Sequence, residues 1–289
     1  MTFVKILAPL TGGSRDAAVL ASAFAAAQPF HAHVAALFVR PDAMDAMPFY
    51  GESVSTVVMQ EIAEATTKAS DEASAKAQAT LRAAAAEAGA AITAAPELRD
   101  APSASFKEVT GNFADQVTLA ARLSDLVVFG ALKEDDRPGL TEAFEATLLE
   151  TGRPVLISAH AAPASFCHNK IALAWNDSVA SAHAVTAALP FLKCAASVEI
   201  LCVKRGKEDA IDASELKTYL KLRGIDASER AIDAGTRVVG DVLLEEASKG
   251  GAGMLVAGGY GHSRLREMFF AGVTRHVVSH AALPLFLVH

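Results

Sequence analysis

The stretch KILAPLT at Lys5–Thr11 recurs in the same chain as KIALAWN at Lys170–Asn176, and this repeat decides the fold. Each copy is an apolar run that ends in small polar residues, which predicts a buried strand followed by a turn. An Ala-rich stretch with helical character follows each copy, at residues 15–27 and 179–192. Strands that alternate with helices predict a parallel sheet with helices on both faces.

Further pairs of apolar runs complete the repeat. They are residues 34–39 with 198–203, 126–130 with 254–258, and the Pro-led closing strands Val155–Ser158 with Leu285–Val288. The repeat predicts an α/β protein with two tandem Rossmann-like domains, each built on a five-stranded parallel sheet. Their expected bounds are residues 1–159 and 168–289, joined by a linker rich in Ala, Pro, Ser and His.

One insertion distinguishes the first copy from the second. Residues 53–90 are rich in Ala, with apolar positions at helical spacing and charged residues between them. This pattern predicts a long amphipathic helix. We favour a helix that covers its own sheet over one that presents a face to a partner.

Composition limits the classes of function. The chain has 26 Lys and Arg against 33 Asp and Glu, a net charge of −7, which argues against nonspecific nucleic-acid binding. No apolar stretch is long enough for a membrane span, and the first residues lack the pattern of a signal peptide. The three cysteines have no metal-type spacing. We therefore expect reduced thiols in a cytoplasmic protein.

A Gly-rich stretch, GGYGHSRLR at Gly258–Arg266, follows one apolar run directly and opens a helical pattern. Glycines let the backbone approach an anion, and the free N–H groups of a helix start favour a phosphate. Ser263 adds a hydroxyl donor and Arg264 adds positive charge. A second cluster, AGVT at Ala271–Thr274, again places a glycine near a hydroxyl. Tight turns for packing are the alternative explanation, and the pairing of two clusters favours phosphate binding.

At these residues the chain resembles the universal stress protein family in its tandem two-domain form. The ATP-binding pattern of that family is Gly, two residues, Gly, nine residues, then Gly followed by Ser or Thr. Gly258, Gly261 and the nine-residue gap match this pattern. Ala271 and Gly272 depart from the final pair, and Thr274 stands two residues further along as a substitute hydroxyl.

The resemblance implies that the second copy binds ATP or another adenine nucleotide, with Mg²⁺ as a companion ion. Asn176 stands where ATP-binding members have an Asp that contacts the base, and Val203 stands where the backbone contacts it. The capping chemistry of Asn-Asp-Ser gives Asn176 an alternative role as a turn residue, and the two roles are compatible. The residues implied around the phosphates are Gly258, Gly261, His262, Ser263, Arg264, Gly272, Val273 and Thr274.

The first copy departs further from the pattern. Gly130 is present, but Lys133 replaces the second glycine and acidic residues 134–136 follow it. Carboxylates at this place repel a triphosphate, so we predict that the first copy does not bind ATP. The nearby TGGSRD stretch at Thr11–Asp16 is similar to the loop of ATP pyrophosphatases, but Arg15 holds the position of an essential Asp, so we do not favour that assignment.

No arrangement of catalytic residues emerges from the sequence. There is no Ser-His-Asp set, no paired carboxylates and no P-loop lysine, so at most a slow ATPase is expected. His276 and His280 share a helix face, but no third ligand stands nearby, and we expect no metal site. The leading hypothesis is a regulatory nucleotide-binding stress-response protein. An interaction module that binds no nucleotide and a slow ATPase are the alternatives.

The resemblance also bears on assembly. In the family the closing strands pair between domains, which implies a pseudo-dimer within this polypeptide. A homodimer of the tandem chain is a further alternative.

Overall fold

The computed structural model describes residues 2–42, 56–96, 99–132, 137–159, 165–205, 211–259 and 283–289. The strands in these ranges are β1 (Lys5–Leu10), β2 (His33–Arg40), β3 (Ala91–Ile92), β4 (Ser103–Thr110), β5 (Leu126–Phe129), β6 (Val155–Ile157), β7 (Lys170–Trp175), β8 (Ser197–Lys204), β9 (Ala227–Asp233), β10 (Met254–Gly258) and β11 (Leu285–Val288). The α-helices are α1 (Asp16–Ala27), α2 (Thr56–Glu87), α3 (Phe113–Ala121), α4 (Leu140–Glu150), α5 (Val179–Cys194), α6 (Ser214–Lys221) and α7 (Val239–Lys249).

The described strands form one continuous sheet in the order β3-β4-β2-β1-β5-β6-β11-β10-β7-β8-β9. Neighbouring strands run parallel except β6 and β11, which are antiparallel. The predicted α/β fold with parallel sheets is confirmed. Two details differ from the prediction, since the two-residue β3 adds a strand at one edge and both halves share a single sheet.

Helices cover both faces of the sheet because the strands are buried on both sides. In β1, Ile6 and Ala8 pack into one apolar cluster with α1 and α2, whereas Leu7 packs into the other with α3 and α4. The second half repeats this arrangement, with α5 and α6 on the first face and α7 on the second. The strand order reverses direction at β1/β5 and again at β7/β10, which creates one topological switch point in each half.

The two halves meet where β6 pairs with β11, with Leu156 opposite Phe286. The two closing strands expected from the repeat therefore lie side by side. An aromatic cluster surrounds this junction on one face of the sheet. Phe191 of α5 is fully buried, and its ring centroid lies 4.8 Å from Phe3, 5.5 Å from Phe30, 5.7 Å from Phe166 and 6.0 Å from Phe286. The apolar core thus continues from one half into the other.

Helix α2 covers the amino-terminal half of the sheet, as its amphipathic pattern predicts. Ala77, Leu81 and Ala85 are buried against the strands. The turn after β1 approaches the same helix closely. Gly12 has φ of +76°, and a Cβ added there would lie 2.4 Å from the carbonyl oxygen of Ala73. Only glycine allows this contact, which fixes α2 over the carboxyl end of β1.

The expectation of three reduced thiols is wrong for two of them, because Cys167 and Cys194 form a disulfide. Cys167 precedes β7 and Cys194 ends α5, so the last turn of α5 lies next to the start of β7. The N–H of His168 donates to the carbonyl of Cys194 over 2.8 Å. Cys202 is a buried free thiol, and burial raises its pKa to about 11. None of the described helices combines the length and apolar character needed to cross a membrane.

Candidate functional site

The switch point of the carboxyl-terminal half brings together three residues that the sequence singled out. Asn176 directly follows β7, Gly258 ends β10, and Val203 lies near the end of β8. Strand β7 pairs with β10 on one side and with β8 on the other, so all three residues stand at the carboxyl edge of neighbouring strands. Ligands of open α/β sheets bind at this edge.

Gly258 is required by a close contact with the start of α5. A Cβ at this position would lie 2.5 Å from the carbonyl carbon of Ala180 and 2.5 Å from the nitrogen of Ser181. Both atoms belong to backbone, so neither can move without shifting the helix. The end of β10 is therefore held against the first turn of a 16-residue helix. Gly130, which ends the equivalent run of the first half, has only ordinary contacts at 3.5 Å.

Asn176 acts in the turn that starts α5. Its Oδ1 accepts hydrogen bonds from the hydroxyl of Ser178 over 2.7 Å and from the Ser178 N–H over 3.3 Å. Ser178 then caps the helix in a reciprocal arrangement with Ser181. Asp177, between them, has φ of +57°. The turn role foreseen for Asn176 is confirmed, and its amide nitrogen has no partner among the described residues.

Val203 is buried. The last residue pair between β7 and β8 is Trp175 with Cys202, so β8 extends beyond the end of β7 at Val203. Trp175 occupies the end of β7 beside Asn176. Its indole Nε1 is buried without a hydrogen-bond partner in the part of the chain that the structure describes. Sequence reasoning missed this donor, although the only tryptophan of the chain stands next to a predicted site residue.

The remaining residues predicted around the phosphates, Gly261, His262, Ser263, Arg264, Gly272, Val273 and Thr274, lie outside the described residues. The His276 and His280 pair lies outside them too. Across the described ranges, no three His, Cys, Asp or Glu side chains are grouped closely enough to hold a metal ion.

The carboxyl edge of the amino-terminal half of the sheet has a cavity of about 770 Å³. It lies where β1, β2 and β4 end, and α2 forms one wall. Phe38 and Phe113 contribute aromatic rings, while Ser70 and Arg137 contribute polar groups. Sequence reasoning missed this cavity because its walls come from separate segments. Of these only the Thr11–Asp16 stretch was singled out, and it was not favoured as a ligand loop.

Arg137 is the most distinctive polar group in the cavity wall. Its guanidinium carbon lies 4.7 Å from the ring centroid of Phe113 and 5.9 Å from that of Phe38. One of its N–H groups donates to the carbonyl of Val39 over 2.7 Å. Burial lowers the pKa of Arg137, and the charge of Asp16 opposes that shift. The group nevertheless stays protonated, as arginine does throughout proteins.

The carboxylate of Asp16 is buried next to the cavity and is held by the turn after β1. It accepts hydrogen bonds from the N–H of Gly12 over 2.7 Å, from the N–H of Thr11 over 3.0 Å and from the Thr11 hydroxyl over 3.1 Å. Burial raises the pKa of Asp16, and these hydrogen bonds act in the opposite direction. Asp16 thus serves the turn and makes no direct ion pair with Arg137.

Comparison of the sequence with protein-family models gives no match, and comparison with curated proteins gives none either. Solved structures do match. A universal stress protein from Archaeoglobus fulgidus DSM 4304 is 15% identical, with 98% of this chain and 95% of that chain covered and a TM-score of 0.64. A protein assigned to the universal stress proteins from Pseudomonas aeruginosa UCBPP-PA14 is 14% identical, with 99% and 93% covered and a TM-score of 0.52.

A functionally unknown protein from Pseudomonas aeruginosa PAO1 is 12% identical, with 99% of this chain and 92% of that chain covered and a TM-score of 0.51. At these identities the likeness is one of fold. The chain therefore has the fold of the universal stress proteins over nearly its whole length.

Proposed function

We propose that this chain, which has the fold of the universal stress proteins, is a regulatory member of that family that binds ATP or another adenine nucleotide, with Mg²⁺, through residues 168–289. In this proposal residues 1–159 form the amino-terminal domain, and the two domains would associate as a pseudo-dimer, which the β6–β11 pairing supports. Binding would act by shifting an equilibrium between two conformational or assembly states for which the nucleotide has different affinities.

The contact between Gly258 and the first turn of α5 carries the proposal. It holds the start of the Gly-rich stretch at the switch point, beside the amino end of a long helix. The N–H groups and dipole at a helix start favour a phosphate. A side chain at position 258 would push the strand and the helix apart. The loss of this close contact at Gly130 agrees with the prediction that the first half binds no ATP.

Each remaining residue has a proposed role. Gly261, Gly272 and Val273 would let the backbone approach the phosphates, and His262, Ser263, Arg264 and Thr274 would donate hydrogen bonds or charge. The amide nitrogen of Asn176 and the backbone of Val203 would hold the base. In the described residues the Asn176 amide nitrogen has no partner, and Val203 stands where β8 extends beyond the end of β7.

Calorimetric titration with ATP and Mg²⁺ tests the proposal. We expect one equivalent per chain, and we expect Gly261→Lys to abolish binding because a side chain there would occupy the proposed phosphate path. Ser248→Lys is the matched control, since it adds the same charge at an exposed site near the end of α7, at the opposite edge of the sheet. Equal affinity in wild type and Gly261→Lys would show that the loop assignment is wrong.

Other outcomes separate the alternatives. Two equivalents of ATP per chain would refute the assignment of the first half. No binding, together with no nucleotide in mass spectra of small molecules released from the purified protein, favours the interaction module. Sustained release of inorganic phosphate from ATP indicates an ATPase instead of a purely regulatory protein.

A further inference from the structure

The cavity in the amino-terminal half has the size and lining of a ligand site. Its volume of about 770 Å³ falls within the ~300–1,000 Å³ common for small-molecule sites. Phe38, Phe113 and Ala73 give it largely apolar walls, and a few polar groups converge on it. Such a composition is typical of sites that bind an apolar body and orient it by one or two polar contacts.

Arg137 places a positive charge in this apolar wall. Among the described residues no carboxylate forms an ion pair with its guanidinium, and its hydrogen bond to the Val39 carbonyl uses one N–H of five. Charged groups that leave water are normally paired. The guanidinium fork therefore has donors available for a planar anion such as a carboxylate, which it can bind through two parallel hydrogen bonds.

Ser70 supplies a second, independent indication. Its side chain is 8% exposed, and its hydroxyl has no hydrogen-bond partner among the described residues. Thr67 and Thr80 on the same helix each donate to the carbonyl four residues earlier, which is how such hydroxyls are usually satisfied. Ser70 lines the cavity instead. A buried hydroxyl left without a partner is costly, and rotation about the Cα–Cβ bond of Ser70 would let it reach a polar ligand atom in the cavity.

The charges around the cavity favour a monoanion over a nucleoside triphosphate. Arg15 and Arg137 line it together with Asp42, and the Asp16 carboxylate lies beside it, so these four groups carry a net charge of about zero. Arg15 also donates to the carbonyl of Ala131 over 2.5 Å, which directs it toward the protein. The guanidinium of Arg137, by contrast, lies over the rings of Phe113 and Phe38.

From these contacts we infer that the amino-terminal cavity binds a small organic carboxylate with an apolar or aromatic body. The carboxylate would pair with Arg137, the body would lie along the apolar part of the lining beside Phe38 and Phe113, and Ser70 would bond a polar atom. This site is separate from the nucleotide site proposed for residues 168–289 and does not depend on it.

Three probes that share one ring test the chemistry on the intact protein by ligand-observed NMR titration. They are phenylacetate, its neutral amide phenylacetamide and the cation 2-phenylethylamine. We expect phenylacetate to bind at least about ten-fold more tightly than the other two, as charge-assisted hydrogen bonds allow. Equal or tighter binding of the amide or the amine would overturn the inference, as would no binding of phenylacetate at millimolar concentration.

Variants locate the binding site. Arg137→Gln should weaken phenylacetate binding about ten-fold or more, and Ser70→Ala should weaken it a few-fold. Arg122→Gln is the matched control, since Arg122 is exposed at the end of α3, at the opposite edge of the sheet. Arg137→Lys, which keeps the charge, should retain part of the affinity even if Arg137→Gln folds poorly.

A competition experiment tests whether the cavity and the proposed nucleotide site are independent. ATP with Mg²⁺ should not displace phenylacetate, and Gly261→Lys should leave phenylacetate binding unchanged. Competition by ATP that depends on Arg137 would make the cavity a nucleotide site and refute the inference. Unchanged phenylacetate affinity in both Arg137 variants would refute it as well.

Discussion

Replacing Phe191 with alanine should destabilise both halves of the molecule at once. Phe191 is fully buried, and four other phenylalanine rings lie within 6.0 Å of its centroid. Removing a buried Phe side chain costs about 3–5 kcal/mol of unfolding free energy. The aromatic pairs add about 0.5–1.5 kcal/mol each beyond burial, and a rigid sheet on one side limits collapse of the cavity. We therefore expect a loss near the upper end, about 4–5 kcal/mol.

Urea unfolding measures this loss with two probes. Far-UV circular dichroism follows the whole chain, whereas fluorescence of Trp175, the only tryptophan, follows the carboxyl-terminal half. In the variant the two midpoints should fall together, because Phe191 packs against Phe3 and Phe30 of the first half. Phe144→Ala is the control. Among the described residues its buried ring has one aromatic neighbour, Phe129, at 5.8 Å, so the expected loss is about 3 kcal/mol.

Two results would refute this reasoning. A loss below about 1 kcal/mol for Phe191→Ala would mean that the aromatic cluster is not packed as described. A shift confined to the fluorescence signal, with the circular dichroism transition split in two, would mean that the core does not continue across the junction.

Three further predictions follow from single contacts. Dithiothreitol should lower the melting temperature of wild type but not of the Cys167→Ser/Cys194→Ser double variant, since the disulfide closes a separation of 27 residues, worth about 3–4 kcal/mol. Gly258→Ala should cost about 1–3 kcal/mol in denaturant unfolding because its Cβ meets backbone at 2.5 Å, whereas Gly130→Ala, with contacts at 3.5 Å, should be nearly neutral. Burial lowers the pKa of His33 from 6.5, so the unfolded chain takes up the proton first; stability should fall as the pH drops below 6.5, and His33→Gln should flatten this dependence. An unchanged melting temperature of wild type in dithiothreitol would contradict the first prediction. Equal losses of unfolding free energy for Gly258→Ala and Gly130→Ala would contradict the second. The same dependence of stability on pH in His33→Gln would contradict the third.

The repeat predicted most of the fold because its strands are central and therefore continuously apolar. Strands β4 and β9 escaped this criterion. The later residues of β4 include the consecutive exposed Lys107 and Glu108, and β9 is an edge strand that carries Glu229 and Arg230. An edge strand is buried on fewer sides, so its sequence does not require an apolar run.

The sequence predicted part of the site in the carboxyl-terminal half but not the cavity in the amino-terminal half. Gly258 was found because a glycine after a buried strand is a local pattern, and the contact with α5 explains the requirement. The cavity was missed because Phe38, Ser70, Phe113 and Arg137 come from separate segments that only the fold brings together. The disulfide was missed for the same reason, since Cys167 precedes β7, Cys194 ends α5, and only the packing of that helix on the sheet brings them together.

The pairing of β6 with β11 has a consequence for how the two halves can change over time. In a symmetric homodimer every substitution at the interface appears twice, once on each side of the twofold axis. Here Leu156 and Phe286 face each other from separate parts of one gene, so either can be replaced without altering the other. Dilution cannot separate the two halves either, since one polypeptide holds them. A duplicated fold joined in this way lets its two carboxyl edges acquire different chemistry, a glycine held against a helix in one and an arginine between aromatic rings in the other.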